Sequence, residues 1–437
     1  MKDRLTALIV LLLVATMGCT QTTAGPTGGP TAAPTAGPTG LELAAAVATR
    51  APSDPADALK AAAAMNAFGL DFYRRVATGT GNVVVSPASV AIALSMARAG
   101  ARGTTASQMD TVLRSLGSDD HAGWINALDA ALAARTGTFK DTSGKDMDVT
   151  LRIANAPFAQ RGFKLQDAYL AALATRFGAG LRLVDFQRAT EAARRAINGW
   201  VSERTEKRIP ALLAPGVLDT ATRLVLVNAI YLKAAWQTPF AADLTRPAIF
   251  TKLDGSTVNV PTMRGGGQLP YAAGNGWQAV ELPYVGRQLA MTIVVPDDLA
   301  TFERGFDAAT LTAITGALTT YQVDLTLPRF GIETRADLAA TLAALGMPDA
   351  FDAGKADFSG MTTEDQLYIS AVIHQANIDV DEKGTTAAAA TAVVMDATAI
   401  PGKSVTLRVD RPFLFLIRDT QTGAVVFMGR VTEPSTR

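Results

Sequence analysis

The chain has 437 residues, 48% of them hydrophobic, and its 40 Lys and Arg balance its 40 Asp and Glu. That length supports a large core or two domains. Zero net charge argues against a nucleic-acid or polyanion partner held by bulk charge, and a single cysteine excludes an intramolecular disulfide.

Residues 1–18 read as a secretory signal peptide. Lys2 and Arg4 make the basic start, and Leu5 to Val14 is an apolar stretch too short for a stable bilayer anchor. It closes on Thr16, Met17, Gly18 and Cys19. A small residue just before a cysteine resembles a bacterial lipoprotein signal, although Thr16 stands where that pattern usually has Leu. Lipidation at Cys19 is therefore expected, with ordinary signal cleavage nearby as the alternative. Residues 19–57 are expected to be a disordered tether. Within them Gln21 to Gly40, QTTAGPTGGPTAAPTAGPTG, is a low-complexity stretch that cannot bury enough apolar surface to fold. The expected location is outside the cell, anchored to the membrane through Cys19 or secreted.

The globular body is placed at residues 58–437. A helix is expected near Ala58 to Val76, with Met65, Phe68, Leu70 and Phe72 among its apolar positions. Asn82 to Met96, NVVVSPASVAIALSM, reads as a short strand that turns at Ser86 and Pro87 into a helix, because proline is well placed in a first helical turn. Helical patterns follow at Thr105–Leu116, Ala122–Ala134, Gln166–Phe177 and Thr190–Arg208. Arg223 to Tyr231, RLVLVNAIY, is apolar on both faces, as a strand inside a covered sheet is. Further strands are expected at Trp277–Leu282, Leu289–Val295, Tyr321–Leu327 and Ile369–Asp379, and a helix at Thr334–Leu345 ended by Gly346 and Pro348. Gly265, Gly266 and Gly267 read as a turn. Helices first and strands mostly afterwards give the fold class α+β.

Two histidines limit the chemistry. His121 falls in a polar stretch, DDHAG, read as a loop. His374 lies in an apolar strand pattern and reads as a core histidine, since a Ser–His–Asp site needs its imidazole beside an exposed nucleophile. One cysteine and two distant histidines make a metal site unexpected, and EF-hand, Walker and dinucleotide patterns are absent. The chain is expected to be no enzyme and to need no cofactor.

Asp379 to Ile400, DVDEKGTTAAAATAVVMDATAI, is unlike an ordinary connection. Surface loops are normally polar, with Pro and Gly at their corners. From Thr385 to Ala399 there is no Gly, no Pro and one charge, Asp396. Read with period two, one face carries Thr385, Ala387, Ala389, Thr391, Val393, Met395 and Ala397, uncharged and small at its start. Such a face can enter a packed sheet without burying an ion. Gly384 offers a pivot before it. Four alanines in a row also favour helix, and a plain linker is the third reading.

DEKGTTAAAATAVV resembles the hinge of the serpin family, and DRPFLFLIRDTQTGAVVFMGRVTEP resembles the serpin C-terminus. NVVVSPASVAIALSM, LVNAIYLKAAWQTPF, AVELPYVGRQLAMTIVVPDD and ADFSGM occur in the family's order, so the resemblance extends over roughly Ala58 to Pro434. It implies a serpin fold of three β-sheets with about eight or nine helices and an exposed reactive-centre loop. It implies a serine protease inhibitor that acts as a suicide substrate, cleaved in that loop and then inserting it into the central sheet. On this resemblance Glu382, Lys383, Gly384, Thr385, Thr386, Ala387, Ala388, Ala389, Ala390 and Thr391 form the hinge. Ser86, Ser89, Asn228 and His374 would form a polar cluster under the central sheet that controls its opening, and Trp236 would mark the entry of the loop. Counting from the hinge as in the family places the reactive bond between Thr398 and Ala399, to within one residue. A small residue before the bond suits the shallow pockets of elastase-like or subtilisin-like proteases. The implied partner is the target serine protease, held as a covalent acyl complex by a monomeric inhibitor. The alternative is a non-inhibitory serpin acting as a binding or chaperone module. Its hinge would carry charges, prolines or bulky groups, and Thr385 and Ala387–Ala390 carry none.

For the anchor, labelling with a fatty-acid analogue is expected to mark the wild-type chain and to leave Cys19→Ser unmarked. Equal labelling of both contradicts lipidation at that residue.

Overall fold

Seventeen strands and nine α-helices are found among the residues that the computed structural model describes, 41–44, 49–115, 118–386 and 403–435. The central sheet has eight strands. Its order is β1 (Glu42–Leu43), β5 (Arg182–Val184), β4 (Asp146–Gln160), β6 (Leu224–Ala235), β14 (Gly384–Thr385), β13 (Ile369–Asp381) and β12 (Phe330–Asp337), with β3 (Gly137–Lys140) paired to β4 alone. The second set has nine strands. Its order is β15 (Ser404–Arg408), β11 (Thr319–Pro328), β8 (Thr257–Gly274), β9 (Trp277–Pro283), β10 (Leu289–Pro296), β16 (Phe413–Asp419), β17 (Val425–Val431) and β2 (Val83–Val85), with β7 (Arg246–Thr251) against β8.

The three expected sheets are present as the central sheet and two arms joined through β8. That strand pairs with β7 and β11 over most of its length and with β9 only at its end, Tyr271 to Gly274. The glycine run read as a turn lies inside β8. Gly265, Gly266 and Gly267 pair with Leu325, Asp324 and Val323. Gly266 has a φ of 143°, and a Cβ there would stand 1.9 Å from the Val323 carbonyl oxygen. The run permits close backbone approach inside a sheet rather than a chain reversal.

The helices are α1 (Pro55–Val76), α2 (Pro87–Gly100), α3 (Gly103–Leu113), α4 (Ser118–Ala133), α5 (Asp167–Phe177), α6 (Phe186–Arg204), α7 (Leu299–Gly305), α8 (Ala308–Ala317) and α9 (Ala339–Leu345). Local chemistry sets where the first two start. The Asp54 carboxylate accepts from the Ala56 N–H, the Ser86 hydroxyl accepts from the Ser89 N–H, and each helix has proline in its first turn. Helix α2 is buried on nearly every side, and its Ser89, Ser95 and Arg98 are buried with hydrogen-bond partners. It packs against β4 and β6 of the central sheet and β17 of the second. One core cluster runs from α1 and α2 through both sheets, and a second joins the central sheet to α6.

Three expectations change. Thr334 to Asp337, read as the start of a helix, belongs to β12 and pairs with Ile373 to Ala376 of β13, so the helix is only Ala339–Leu345. Residues 41–44 and 49–57, placed in the disordered tether, join the fold: Leu41 is buried, Glu42 and Leu43 pair with β5, and α1 begins at Pro55. The apolar Leu41 and Leu43 mark this change of composition. His121 lies in α4, 3% exposed, and not in a loop. The low-complexity stretch, the signal peptide and Cys19 lie outside the described residues.

Candidate functional site

Parallel strands β6 and β13 pair from Leu224 and Ile369 up to Ile230 and Ala376 and then part. Beyond that point each keeps its outer neighbour: β6 stays paired to β4 as far as Lys233, and β13 to β12 as far as Val380. At the far end β14 fills the space between them. Gly384 pairs with Ala235 on one side and Asp381 on the other, and Thr385 with Ala234 and Val380. Between this two-residue strand and the last β6–β13 pair lies a cleft of 190 Å³, lined by Ile230, Tyr231, Asn377, Asp379 and Thr386 among others.

The chain enters this position through a tight, specified turn. The Asp381 carboxylate accepts from the N–H groups of Lys383 (2.8 Å) and Gly384 (3.2 Å), a usual aspartate turn. Gly384 has a φ of 147°, and a Cβ there would lie 2.1 Å from the Ala234 carbonyl oxygen. Glycine is required here by close approach, and not as a free pivot. Thr385 is 1% exposed, and its hydroxyl lies 2.6 Å from the Tyr284 hydroxyl. Burial raises the Tyr284 pKa far above the usual phenol range, so the pair is neutral. Thr386 donates its N–H to Asp379 O (2.9 Å) and takes a left-handed φ of 52°. Ala387, Ala388, Ala389, Ala390, Thr391, Thr398 and Ala399 lie outside the described residues.

Trp236 clamps the entrance. Its backbone N–H donates to Lys383 O and its indole N–H to Asp381 O, both at 2.9 Å. Its ring stacks on Tyr284, with centroids 4.6 Å apart and planes at 10°. Glu382, 6% exposed, accepts from the Arg329 guanidinium, with Nη2 at 2.6 Å and Nε at 2.8 Å, and from the Thr245 hydroxyl. Burial pushes its carboxyl up, but these donors outweigh burial and hold it below the usual carboxylate range. The glutamate is thus a charged anchor at the root of the loop.

Ser86, Ser89, Asn228 and His374 are brought together, each 0% exposed. The Ser86 N–H donates to His374 Nε2 (3.2 Å), so the proton sits on Nδ1 and is donated to Asn228 Oδ1 (2.9 Å). The Ser86 hydroxyl donates to Val426 O of the second sheet. Ser89 adds Asn155 of β4, whose Oδ1 accepts from the Ser89 hydroxyl at 2.9 Å and whose amide donates to Ser89 O at 2.8 Å. The Asn228 amide nitrogen alone in this group has no hydrogen-bond partner. One network therefore ties α2 to β4, β6, β13 and the second sheet, around the last third of the β6–β13 pairing.

Asn155, Tyr284, Arg329 and Thr245 were not singled out in the sequence. Thr385 and Tyr284 are 101 positions apart, and no local pattern announces such a contact. The other histidine makes no nucleophilic site. Its Nε2 is 2.9 Å from the Ser95 hydroxyl, but that hydroxyl donates to Ala91 O and the His121 Nδ1 has no partner.

The central sheet is mixed, with a two-residue strand at one end of the gap between β6 and β13 and a cleft below it. Residues 63–434 match the family described as Serpin (serine protease inhibitor), and the chain belongs to that family. It is 36% identical over 381 residues to a leukocyte elastase inhibitor of Equus caballus, covering 84% of this chain and 97% of that one. It is 37% identical over 375 residues to a serpin-like protein of Thermococcus kodakarensis, covering 85% of each. Among solved structures, native tengpin, a thermophilic serpin, aligns with a TM-score of 0.77 at 26% identity, over 88% of this chain and 96% of that one. The family and these relatives support protease inhibition in general.

Burial lowers the His374 pKa to about 3, whereas an unfolded histidine takes up a proton near pH ~6.5. Between those values the unfolded chain binds more protons, so stability rises with pH there and is lost as pH falls. His121, lowered to about 4 by burial, acts in the same direction. The urea midpoint of wild type is expected to fall as pH drops from about 7 to about 5, and His374→Gln to show a clearly shallower fall. Parallel curves contradict a buried neutral His374.

Proposed function

We propose that this chain is a suicide-substrate inhibitor of elastase-like or subtilisin-like serine proteases, exported and tethered through Cys19. The observation that carries the reading is the register of β14. Continued one residue at a time, it would set Thr386, Ala387 and Ala388 into the cleft and Ala389 opposite Ile230 and Ala376. Ile230 and Ala376 are themselves the last β6–β13 pair. The incoming strand therefore meets both neighbours without a register slip. From Ala389 onward each further residue must replace one existing pair. Thr391 would arrive opposite Asn228 and His374, on their face of the sheet, where the unpartnered Asn228 amide could donate to its hydroxyl.

In the proposed sequence the protease serine attacks the Thr398 carbonyl carbon. An acyl–oxygen bond forms, the Thr398–Ala399 peptide bond breaks, and the amine of Ala399 leaves with the proton it receives. The freed loop then enters between β6 and β13 and carries the acylated protease with it, before water can complete the hydrolysis. The native state stores the driving force as a strand position left unfilled. The small Thr398 and the leukocyte elastase inhibitors among the relatives support the elastase-like target class.

Two variant sets test this reading. Thr385→Arg and Ala389→Glu place a charge on the face that must be buried, which costs several kcal/mol or forces neutralisation. The ratio of SDS-stable complex to cleaved, released product with pancreatic elastase is expected to fall at least about tenfold, and Ala388→Glu, on the other face, to lower it less. Equal inhibition by all three contradicts insertion. Thr398→Arg is expected to shift inhibition toward trypsin, because the arginine can pair with an acidic pocket base. Mass spectrometry of the released peptide should begin at Ala399, and a new N-terminus after Arg408 would refute the assignment.

A further inference from the structure

A cavity of 340 Å³ lies between β4 and helices α2, α4, α5 and α6 and includes no hinge residue in its lining. That is within the usual ~300–1,000 Å³ of small-molecule sites. On its wall Trp200 carries two cations. The Arg182 guanidinium lies 4.7 Å from the centre of the indole and the Arg204 guanidinium 5.8 Å. Among the described residues neither has a carboxylate within ion-pair distance, and the hydrogen bond from Arg182 goes to Gly180 O at 3.3 Å. The other two arginines of the lining are matched, Arg50 with Asp129 and Arg152 with Glu206. Trp200 is 7% exposed, and its indole N–H has no acceptor. Burial and the like charge of Arg204 lower the Arg182 pKa to about 10, still cationic at neutral pH. Ile92, Met96, Leu132 and Leu151 supply apolar lining.

We propose that this cavity binds a small monocarboxylate with an apolar tail, its head on Arg182, Arg204 and the Trp200 indole N–H and its tail along Ile92, Met96, Leu132 and Leu151. Two guanidinium forks offer parallel donors that match a planar carboxylate, and an indole N–H adds one more. An apolar wall beside them gives the rest of the ligand a dry surface. Nothing in this assignment depends on protease inhibition, so its failure and the failure of that reading are separate events.

Calorimetry on the full chain with octanoate, octan-1-ol and inorganic sulfate tests it. Octanoate is expected to bind saturably at one site. Octanol lacks the charge and sulfate lacks the tail, so each is expected to bind at least about tenfold more weakly. Arg204→Gln, at an exposed position where folding is not at stake, should weaken octanoate about tenfold, and the double variant with Arg182→Gln should weaken it further. Trp200→Phe keeps the ring and should weaken it several-fold by loss of one donor. Absence of saturable octanoate binding overturns the proposal, as does octanol or sulfate binding as tightly as octanoate. So does a folded Arg204→Gln that binds octanoate as the wild type does.

Discussion

Strands β6 and β13 are parallel neighbours that stay together only from Leu224 and Ile369 to Ile230 and Ala376. Most of what distinguishes this molecule follows from that incomplete pairing. A sheet gains its stability strand by strand, and an open position inside it is a site where another strand can bind. Gly384 and Thr385 occupy the far end of that position and hold it open. They do so because Asp381 caps the turn, Trp236 grips its carbonyls and Arg329 pairs with Glu382.

In the proposed mechanism the polar network under the sheet would set how hard the remaining pairs are to part. A buried hydrogen bond is modest in net worth, but leaving either partner unpaired in a dry core costs about 1–3 kcal/mol. His374, Asn228, Ser86, Ser89 and Asn155 form such bonds on four different elements, and the His374–Asn228 bond crosses the β6–β13 seam itself. On the proposed insertion, a strand that brings its own hydroxyl to this level, as Thr391 would, would lower that cost. A chain with one cysteine and no disulfide must build this balance from packing and hydrogen bonds alone.

Much of this was legible in the sequence. The small, uncharged, alternating face that begins at Thr385 follows from composition and period alone, and the structure places Thr385 inward as that pattern requires. His374 reads as a core residue because it lies inside an apolar strand pattern. Pairing partners were not legible. Thr334 to Asp337 has a helix-compatible composition and becomes a strand because β13 lies beside it. The 15-residue β4 carries Asn155 and Pro157, which hide it as a strand, yet it anchors the network through Ser89. Tyr284 and Arg329 gain their meaning only from Thr385 and Glu382, far along the chain. The glycine run in β8 looks like a turn until the Val323 carbonyl is placed against it.

The central claim is that an open strand position between β6 and β13 stores free energy that filling it releases. A single proteolytic cut in the loop frees the strand to fill it without removing any residue. The direct measurement is the thermal midpoint of the same preparation before and after that cut, with the cleaved chain kept whole by its non-covalent contacts. The account predicts a much higher midpoint after cleavage, because eight-stranded pairing becomes complete along its length. An unchanged or lower midpoint would contradict it.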